Sequence, residues 1–284
     1  MRRSLPRRIG CGCVLGGSGL ALALLVWGVL VEPGRLVLHE ATLPIPHWSD
    51  SLSGLRVVAL SDLHVGVLHV DLEKLDEIVD TVNELSPDVV VLLGDYVIRG
   101  VAFGSFVPPE AIAHKLGRLR ARVGVLAVLG NHEWWFDGER VRRALERAGV
   151  PVLEDDAVRL ERRGSPLWIA GLADVWTRSP DLEKALANVP AGEPVIVLTH
   201  NPDVFPTIPA RVSLTLAGHT HGGQVRLPWI GSPIVPSSYG QRYVRGHVVE
   251  DGQHLFVTTG IGSSILPVRI GVPPEIAVLT LVME

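Results

Sequence analysis

Aspartate, asparagine and histidine side chains recur directly after short apolar runs at five places in the sequence. These side chains are Asp62, His64, Asp95, Asn131, His132, His200, His219 and His221. Carboxylate, amide and imidazole groups without thiolate suit Mn, Fe or Zn rather than Cu(I) or an iron–sulfur centre. The chemistry that this set favours is metal-assisted hydrolysis.

Each motif by itself also has a purely structural explanation. Asp62 could cap a turn, and a Gly-Asp pair such as Gly94-Asp95 is common in turns. His219 and His221 are more specific, because residues two apart in an extended segment face the same side. So many polar groups would be costly to bury without partners. A dinuclear metal cluster accounts for all of them at once.

The apolar runs alternate with amphipathic stretches from about residue 52 onward, the pattern of an α/β domain. In open α/β sheets, ligands bind beyond the carboxyl ends of strands, so the polar groups are expected to converge on one sheet edge. The predicted strands are 56–60, 89–93, 123–129, 167–170, 195–198, 212–217, 255–258 and 276–282.

Helices are predicted between these strands. The clearest spans 72–85, where apolar residues recur every three or four positions until Pro87. Further helices are predicted at 110–121, 138–148 and 181–189. No internal repeat or linker interrupts residues 52–284, which are predicted to form one domain with a mixed sheet.

Composition excludes several classes of protein. The chain has 284 residues, 47% of them apolar, which excludes disorder. The first ten residues hold four of the 26 basic residues and no acid, so 22 basic against 30 acidic residues leave the remainder with a net charge of −8. Binding to nucleic acid is therefore not expected, because it depends on phosphate neutralisation by Lys and Arg.

The amino-terminal region has the features of a membrane segment. A basic flank (1–10) precedes 21 uncharged residues (11–31), which are long enough as a helix to cross a bilayer, and 32–51 is predicted to be a linker into the domain. Because the arginines precede the uncharged segment, the amino terminus is expected in the cytoplasm and the domain on the extracytoplasmic side of the cell membrane. The protein would then cross the membrane once. A cleaved signal peptide or a twin-arginine export signal are alternatives. Both cysteines lie within this segment, so the domain has neither a disulfide nor a thiolate site.

The order of the motifs resembles the calcineurin-like metallophosphoesterase superfamily and, within it, membrane-anchored bacterial phosphoesterases of the YkuE/YaeI type. The resemblance covers roughly residues 50–284, and the blocks that carry it are Ser61-Asp62-Leu63-His64, Gly94-Asp95, Gly130-Asn131-His132-Glu133, Thr199-His200-Asn201-Pro202-Asp203 and Gly218-His219-Thr220-His221-Gly222-Gly223-Gln224. The resemblance implies a sandwich of two mostly mixed β-sheets flanked by helices and preceded by a transmembrane helix.

The resemblance also implies a division of labour within the site. One divalent metal would be held by Asp62, His64 and His221. A second would be held by Asn131, His200 and His219, with Asp95 bridging the two. Hydroxide between the metals would attack a phosphodiester or pyrophosphate, and His132 would protonate the leaving oxygen. A phosphomonoesterase with the same site and a non-catalytic metal-binding scaffold are the alternatives.

One position departs from the protein phosphatases of this superfamily. They carry an aspartate that orients the catalytic histidine where this chain has Ile98. This difference argues against a protein phosphatase.

The substrate is less defined by the sequence. Two apolar stretches adjoin the predicted site: Trp134 to Phe136, and 227–235, which includes Trp229. They could be core residues or the wall of a site for a lipid-linked phosphoester. Arg226, Arg242 and Arg245 could clamp a second phosphate or simply lie on the surface.

Overall fold

In the described part of the chain, two β-sheets and five α-helices form the domain. The computed structural model describes residues 19, 22–46 and 48–284. The strands are β1 (Val37–Ile45), β2 (Leu55–Leu60), β3 (Val89–Leu92), β4 (Gly124–Ala127), β5 (Asp156–Arg162), β6 (Ser165–Gly171), β7 (Val195–Leu198), β8 (Leu214–Ala217), β9 (Gly246–Glu250), β10 (Gln253–Val257) and β11 (Glu275–Met283). The helices are α1 (Leu72–Glu84), α2 (Pro109–Leu116), α3 (Asn131–Phe136), α4 (Gly138–Arg147) and α5 (Leu182–Leu186).

Both sheets are mixed. The first has the strand order β1-β11-β2-β3-β4, and the second has the order β5-β6-β7-β8-β10-β9. In the first sheet β2, β3 and β4 are parallel, whereas β11 is antiparallel to β2. In the second, β6, β7, β8 and β10 are parallel and the outer strands β5 and β9 are antiparallel. The parallel strands of each sheet therefore end together at one edge.

The two sheets pack face to face, with helices on their outer faces. Val57 and Val91 of the first sheet share a buried apolar cluster with Ile196 and Leu216 of the second. A separate cluster joins the first sheet to α1, α2 and α4, and a third joins the second sheet to α5. The predicted sandwich of two mixed sheets flanked by helices is confirmed.

Three strands were not predicted, and all three lie at sheet edges: β1, β5 and β9. Their burial alternates along the chain, and β5 exposes the charged Asp156, Arg159 and Glu161, whereas the predicted central strands are mostly apolar and buried. The prediction of a linker over 32–51 is corrected by β1, which pairs in parallel with β11 from Val37 to Ile45.

The helix predictions hold for α1 and α4, while α2 and α5 are shorter than expected. Helix α2 stops at Leu116 with Gly117 as its C-cap instead of continuing to 121. Asp71, Asp137 and Asp181 begin α1, α4 and α5, and each side chain accepts a backbone N–H in the first turn. Helix α3 is absent from the predicted helices.

The predicted membrane segment 11–31 lies partly outside the described residues, which omit 11–18, 20 and 21. Within the part of the chain that is described, no helix combines the length and the apolar character needed to span a bilayer. Residues 22–31 are helical, ending in a π-helical turn at Trp27–Val31 and a 3-10 turn at Glu32–Gly34.

Candidate metal centre

The seven predicted ligands lie at the same edge of the sandwich, contributed by both sheets. Asp62 and His64 follow β2, Asp95 follows β3, and Asn131 begins α3 after β4. The second sheet contributes the remaining three: His200 follows β7, and His219 and His221 follow β8. All seven side chains are buried. The structure thus brings every predicted ligand together.

The backbone at five of these residues is left-handed. Asp62, His64, Asp95, His219 and His221 have φ angles of 53°, 44°, 58°, 69° and 50°. Residues other than glycine seldom adopt this region, and each such conformation costs of the order of 1 kcal/mol. The concentration of strained residues at one place indicates that the surrounding fold holds the side chains for a function rather than for stability.

Two glycines let the backbone approach the cluster closely although neither of them has a left-handed conformation. A Cβ atom at Gly130 would lie 2.3 Å from Asp95 Oδ1, and one at Gly218 would lie 1.9 Å from Ser61 Oγ. Both positions therefore require glycine for close approach of the backbone, whereas the left-handed Gly94 is needed for its conformation (φ 94°).

One group of ligand atoms is formed by Asp62, His64 and His221. The Nε2 atoms of His64 and His221 are 3.2 Å apart, and His221 Nε2 is 3.4 Å from Asp62 Oδ1. Asp62 Oδ2 accepts the backbone N–H of His219, which fixes the carboxylate. The other ring nitrogen of His64 lies 3.4 Å from the carbonyl of Val97, leaving Nε2 directed at the cluster.

A second group is formed by Asp95, His200 and His219. His200 Nε2 lies 3.2 Å from Asp95 Oδ2 and 3.1 Å from His219 Nδ1. His200 Nδ1 donates to the carbonyl of Leu93 at 2.7 Å. Its Nε2 is therefore the ring nitrogen that could coordinate a metal ion. Asp95 Oδ2 is also 3.7 Å from His64 Nε2, and this oxygen therefore faces both groups.

These spacings fit metal coordination. Ligand atoms at about 2.0–2.1 Å around one tetrahedral ion are separated by about 3.3 Å, close to the separations in both groups. Three buried polar atoms of the cluster also lack a hydrogen-bond partner: Asp62 Oδ1, Asn131 Oδ1 and His219 Nε2. Unpartnered buried oxygens are rare in native proteins, and a bound cation would satisfy those of Asp62 and Asn131.

The electrostatics divide the histidines into two kinds. Burial lowers the pKa of His64, His219 and His221 to about 3, so all three are neutral and able to bind a metal. Burial acts in the same direction on His200, but the Asp95 carboxylate outweighs it and raises the pKa of His200 to about 10. His200 in turn holds the pKa of Asp95 well below its usual range despite burial.

His132 belongs to neither of these two groups but forms a third group of possible ligand atoms with His64 and Asp95. It is the second residue of α3, and its backbone N–H donates to Asp95 Oδ1. Its ring centroid is 4.6 Å from that of His64 and its Nε2 is 3.9 Å from Asp95 Oδ2. Ile98 is buried, and in the described part of the chain no carboxylate hydrogen-bonds to the His132 ring.

Glu133 organises the site although the sequence reasoning gave it no role. Its fully buried carboxylate accepts backbone N–H groups from Gly130, Asp95, Tyr96 and Val97 at 2.8–3.2 Å. Burial raises the pKa of Glu133, and the N–H donors oppose that shift. The carboxylate ties the loop after β3 to the start of α3. The only indication of this role in the sequence is that Glu133 directly follows His132.

Arg269 was also missed. Its guanidinium is fully buried, donates to the carbonyls of Thr259, Gly262 and Val272, and lies 3.5 Å from His221 Nδ1. Burial lowers the pKa of Arg269 to about 10, so it remains a cation behind the ligands. No sequence motif marks it, because its hydrogen-bond partners are backbone carbonyls of the surrounding stretch 259–272, which carry no side-chain signature.

A cavity of about 260 Å³ opens over the cluster. Asp95, Asn131, His132, His219 and His221 line its floor. Its walls are largely apolar: they include Trp135, Trp176, Ile234, Pro236 and Ile265, together with the polar Thr220, Gln224 and Ser264. Trp176, on the loop after β6, packs its ring 4.2 Å from that of His219 and was not singled out by the sequence.

Several residues named as substrate contacts lie elsewhere. Arg242 forms an ion pair with Glu250, and neither Arg226 nor Arg245 lines the cavity. Trp134 and Phe136 pack against the core beside the first sheet, while Trp229 is fully exposed outside the cavity. Of the two apolar stretches predicted as a substrate wall, Trp135 of the first and Ile234 of the second line the cavity.

Comparison with known proteins agrees with this geometry. A sequence model of the calcineurin-like phosphoesterase family matches residues 55–249. The uncharacterized metallophosphoesterase YkuE of Bacillus subtilis is 33% identical over 279 residues, covering 96% of this chain and 93% of that protein. Phosphodiesterase YaeI of Escherichia coli is 30% identical over 260 residues, covering 88% of this chain and 90% of that protein.

A Danio rerio protein named as a transmembrane protein with a metallophosphoesterase domain is 31% identical over 279 residues, which are 92% of this chain and 61% of that protein. The family predicted from the motifs is therefore confirmed. The chain belongs to the calcineurin-like phosphoesterase family and is a phosphoric ester hydrolase.

Proposed function

We propose that the chain hydrolyses a phosphodiester with two divalent cations held at this cluster. The observation that carries the proposal is the position of Asp95 Oδ2, 3.7 Å from His64 Nε2 and 3.2 Å from His200 Nε2. One carboxylate oxygen thus faces two separate groups of ligand atoms. A negatively charged group between two cations reduces their mutual repulsion, whereas a neutral imidazole in the same place would not.

Asp62, His64 and His221 would hold one cation. Asn131, His200 and His219 would hold the other, and Asp95 would contact both. Oxygen and nitrogen ligands of this kind favour Mn, Fe or Zn. When bound, such a pair of ions supplies hydroxide near neutral pH and neutralises charge on the phosphoryl oxygens.

His132 is proposed to donate a proton to the leaving alcohol oxygen. It lines the cavity, and its side chain is partly exposed while the ligands are buried. Its ring is held between His64, at 4.6 Å, and Trp135, at 4.8 Å. Packing rather than a carboxylate therefore orients it, and a substrate with an acidic leaving alcohol needs it least.

The cavity favours a substrate with one phosphoryl group and an apolar portion. The polar groups form the floor, whereas Trp135, Trp176 and Ile265 form the walls. The arginines considered for a second phosphate do not line it. These features support a phosphodiester over a pyrophosphate, with an aryl or acyl-bearing alcohol, and a lipid-linked phosphodiester is one such substrate.

The proposed location is a membrane surface, with residues 11–31 as the anchor and the domain on the extracytoplasmic side. The uncharged length of that segment and the arginines before it support this proposal. The name of the Danio rerio relative agrees with it.

The proposal is tested by metal analysis together with a substrate pair. The full chain should bind two divalent ions and cleave bis-p-nitrophenyl phosphate faster than p-nitrophenyl phosphate. Faster cleavage of the monoester would instead identify a phosphomonoesterase. Two bound ions without turnover of either substrate would favour the non-catalytic scaffold.

Asp95→Ala tests the proposed role of Asp95 between the two cations. Because it removes the oxygen that faces both groups, bound metal should fall and turnover should be lost. Asp181→Ala, which removes the cap of α5, is the control and should keep full metal content and turnover. Retention of two ions by Asp95→Ala would contradict the bridging role.

A further inference from the structure

An apolar surface adjoins the mouth of the cavity. We define this apolar rim as Leu227, Trp229, Ile230, Ile234, Ile265 and Leu266, all of them exposed large apolar side chains. Ile234 and Ile265 line the cavity as well, and each is 80% exposed. The rim is therefore continuous with the wall of the site and unlike the scattered apolar residues of an ordinary surface.

The two loops that carry the rim are fastened to each other. The backbone N–H of Arg226 donates to the carbonyl of Ile270 at 2.7 Å, and that of Ile270 donates to the carbonyl of Gln224 at 2.9 Å. The Gln224 side chain also accepts the backbone N–H of Ser264. The rim is thus one surface rather than two independent loops.

The backbone holds two rim side chains outward at a cost. Trp229 and Ile265 both have φ 63°, a left-handed conformation that is unfavourable for bulky and β-branched residues. The fold stabilises this conformation and in doing so exposes an indole and a sec-butyl group to solvent. Burial against an apolar phase would recover the free energy lost by that exposure.

The amino-terminal segment packs against residues 269–272. The same stretch is hydrogen-bonded to the loop that carries Leu227 and Trp229. The Arg269 backbone N–H donates to the Gly28 carbonyl at 2.8 Å, and that of Val272 donates to Glu32 Oε1 at 2.8 Å. Gly28 lies so close that a Cβ would be 2.6 Å from Ile270 Cγ1. The described end of the uncharged run, residues 22–31, therefore reaches the domain beside the rim, with Leu22, Leu25 and Leu30 exposed.

A tryptophan and an arginine lie close together both in the apolar rim and in the amino-terminal segment. Arg226 lies in a surface hollow with Trp229, and the Arg35 guanidinium carbon lies 5.5 Å from the Trp27 ring centroid. This pairing of aromatic and cationic side chains next to aliphatic ones is typical of the membrane–water interface.

We infer that the apolar rim lies in the interfacial layer of a lipid bilayer, so that the cavity opens at the membrane surface. The occupant is the bilayer itself, because the uncharged segment that would enter it is attached to the same stretch of chain. A contact of this kind is independent of which phosphoester the site cleaves.

Nitroxide depth measurements on the full chain in nanodiscs of phosphatidylethanolamine and phosphatidylglycerol test this inference. Cys11 and Cys13 are replaced by Ala, and single labels are placed through Trp229→Cys and Leu266→Cys. Arg163→Cys is the matched control: it is exposed in the β5–β6 turn, at the opposite end of the parallel strands. The labels at 229 and 266 should collide several-fold less with an aqueous nickel chelate, and more with oxygen, than the label at 163.

Equal accessibility of the three labels would overturn the inference, as would failure of the chain to associate with the discs. Protection found only in discs that carry two chains would assign the rim to a second copy and would also overturn it. Ile230→Cys serves as a further label position if one of the first two variants does not fold.

Discussion

At the scale of single residues, Asp95 and His200 form a buried ion pair. Their side chains are 3.2 Å apart and fully buried, and without a cation each stabilises the charged form of the other. A metal that binds His200 must displace its proton, so metal affinity should fall with decreasing pH. The other three histidine ligands are already neutral and have no proton to lose.

The metal-free protein should be less stable in acid and in base than near neutral pH. The pKa of His64, His219 and His221 is about 3 in the folded protein against 6.5 when unfolded, so their contribution is lost as pH falls below 6.5. Each loss is of the order of 1 kcal/mol at about pH 5.5. His200, with a pKa of about 10, contributes below pH 6.5 and loses that contribution as pH rises toward 10.

Thermal unfolding of the chelator-treated chain between about pH 5 and pH 9 measures both limbs of this profile. His221→Asn is the informative variant, because it should reduce the acid slope by the equivalent of about one proton. An unchanged acid slope would show that His221 is accessible to protons in the folded state.

His132→Ala should lower turnover about 10²- to 10⁴-fold while metal content stays the same, because the residue is proposed to act as an acid and not as a ligand. The loss should be smaller for p-nitrophenyl diesters than for alkyl diesters, whose alkoxide leaves less readily. Kinetics on both substrates and metal analysis of the same sample measure this difference. A fall in bound metal would reassign His132 as a ligand, consistent with its position 3.9 Å from Asp95 Oδ2.

At the scale of elements, the site depends on short strands that end together. Strands β2, β3 and β4 are parallel in one sheet, and β7 and β8 are parallel in the other. Each of these strands is a continuous apolar run, which is why the sequence located them. The edge strands β1, β5 and β9 escaped prediction because their alternating polar residues also suit a loop.

Gly130→Ala should disrupt the junction between β4 and α3. Its Cβ would lie 2.3 Å from Asp95 Oδ1 and 2.8 Å from the His200 ring, so the ligands must move at a cost of about 1–3 kcal/mol. Metal affinity and melting temperature should both fall. Gly124→Ala in β4 is the control, because its Cβ meets Leu160 at an ordinary 3.6 Å and its stability should be unchanged or slightly higher. Equal melting temperatures for both variants would contradict the close approach.

At the scale of the whole molecule, the packing of the two sheets creates the site. The apolar cluster between them aligns the ends of β2 and β3 with those of β7 and β8. The cavity then lies between the loops of both sheets, with the apolar rim at its mouth. The ligand cluster, the apolar wall of the cavity and the apolar rim all face the same end of the sandwich.

The double variant Trp229→Ser and Leu266→Ser should separate surface recognition from chemistry. Turnover of a soluble diester should be unchanged, because neither side chain lines the cavity. Turnover of an acyl-bearing phosphodiester embedded in nanodiscs should fall several-fold, since the domain would approach the bilayer less closely. Val249→Ser, an exposed apolar position on β9, is the control. Equal losses on both substrates would contradict a role confined to the membrane surface.

The amino-acid sequence by itself determined the fold class, the family and the set of candidate ligands, because apolar periodicity and motif spacing are local properties of the chain. Tertiary structure decided what depends on distant contacts. His64 and His221, 157 positions apart, meet at 3.2 Å only because the two sheets pack together. Arg269 and Trp176 enter the site through that same packing, and the arginines considered as a clamp are left outside the cavity.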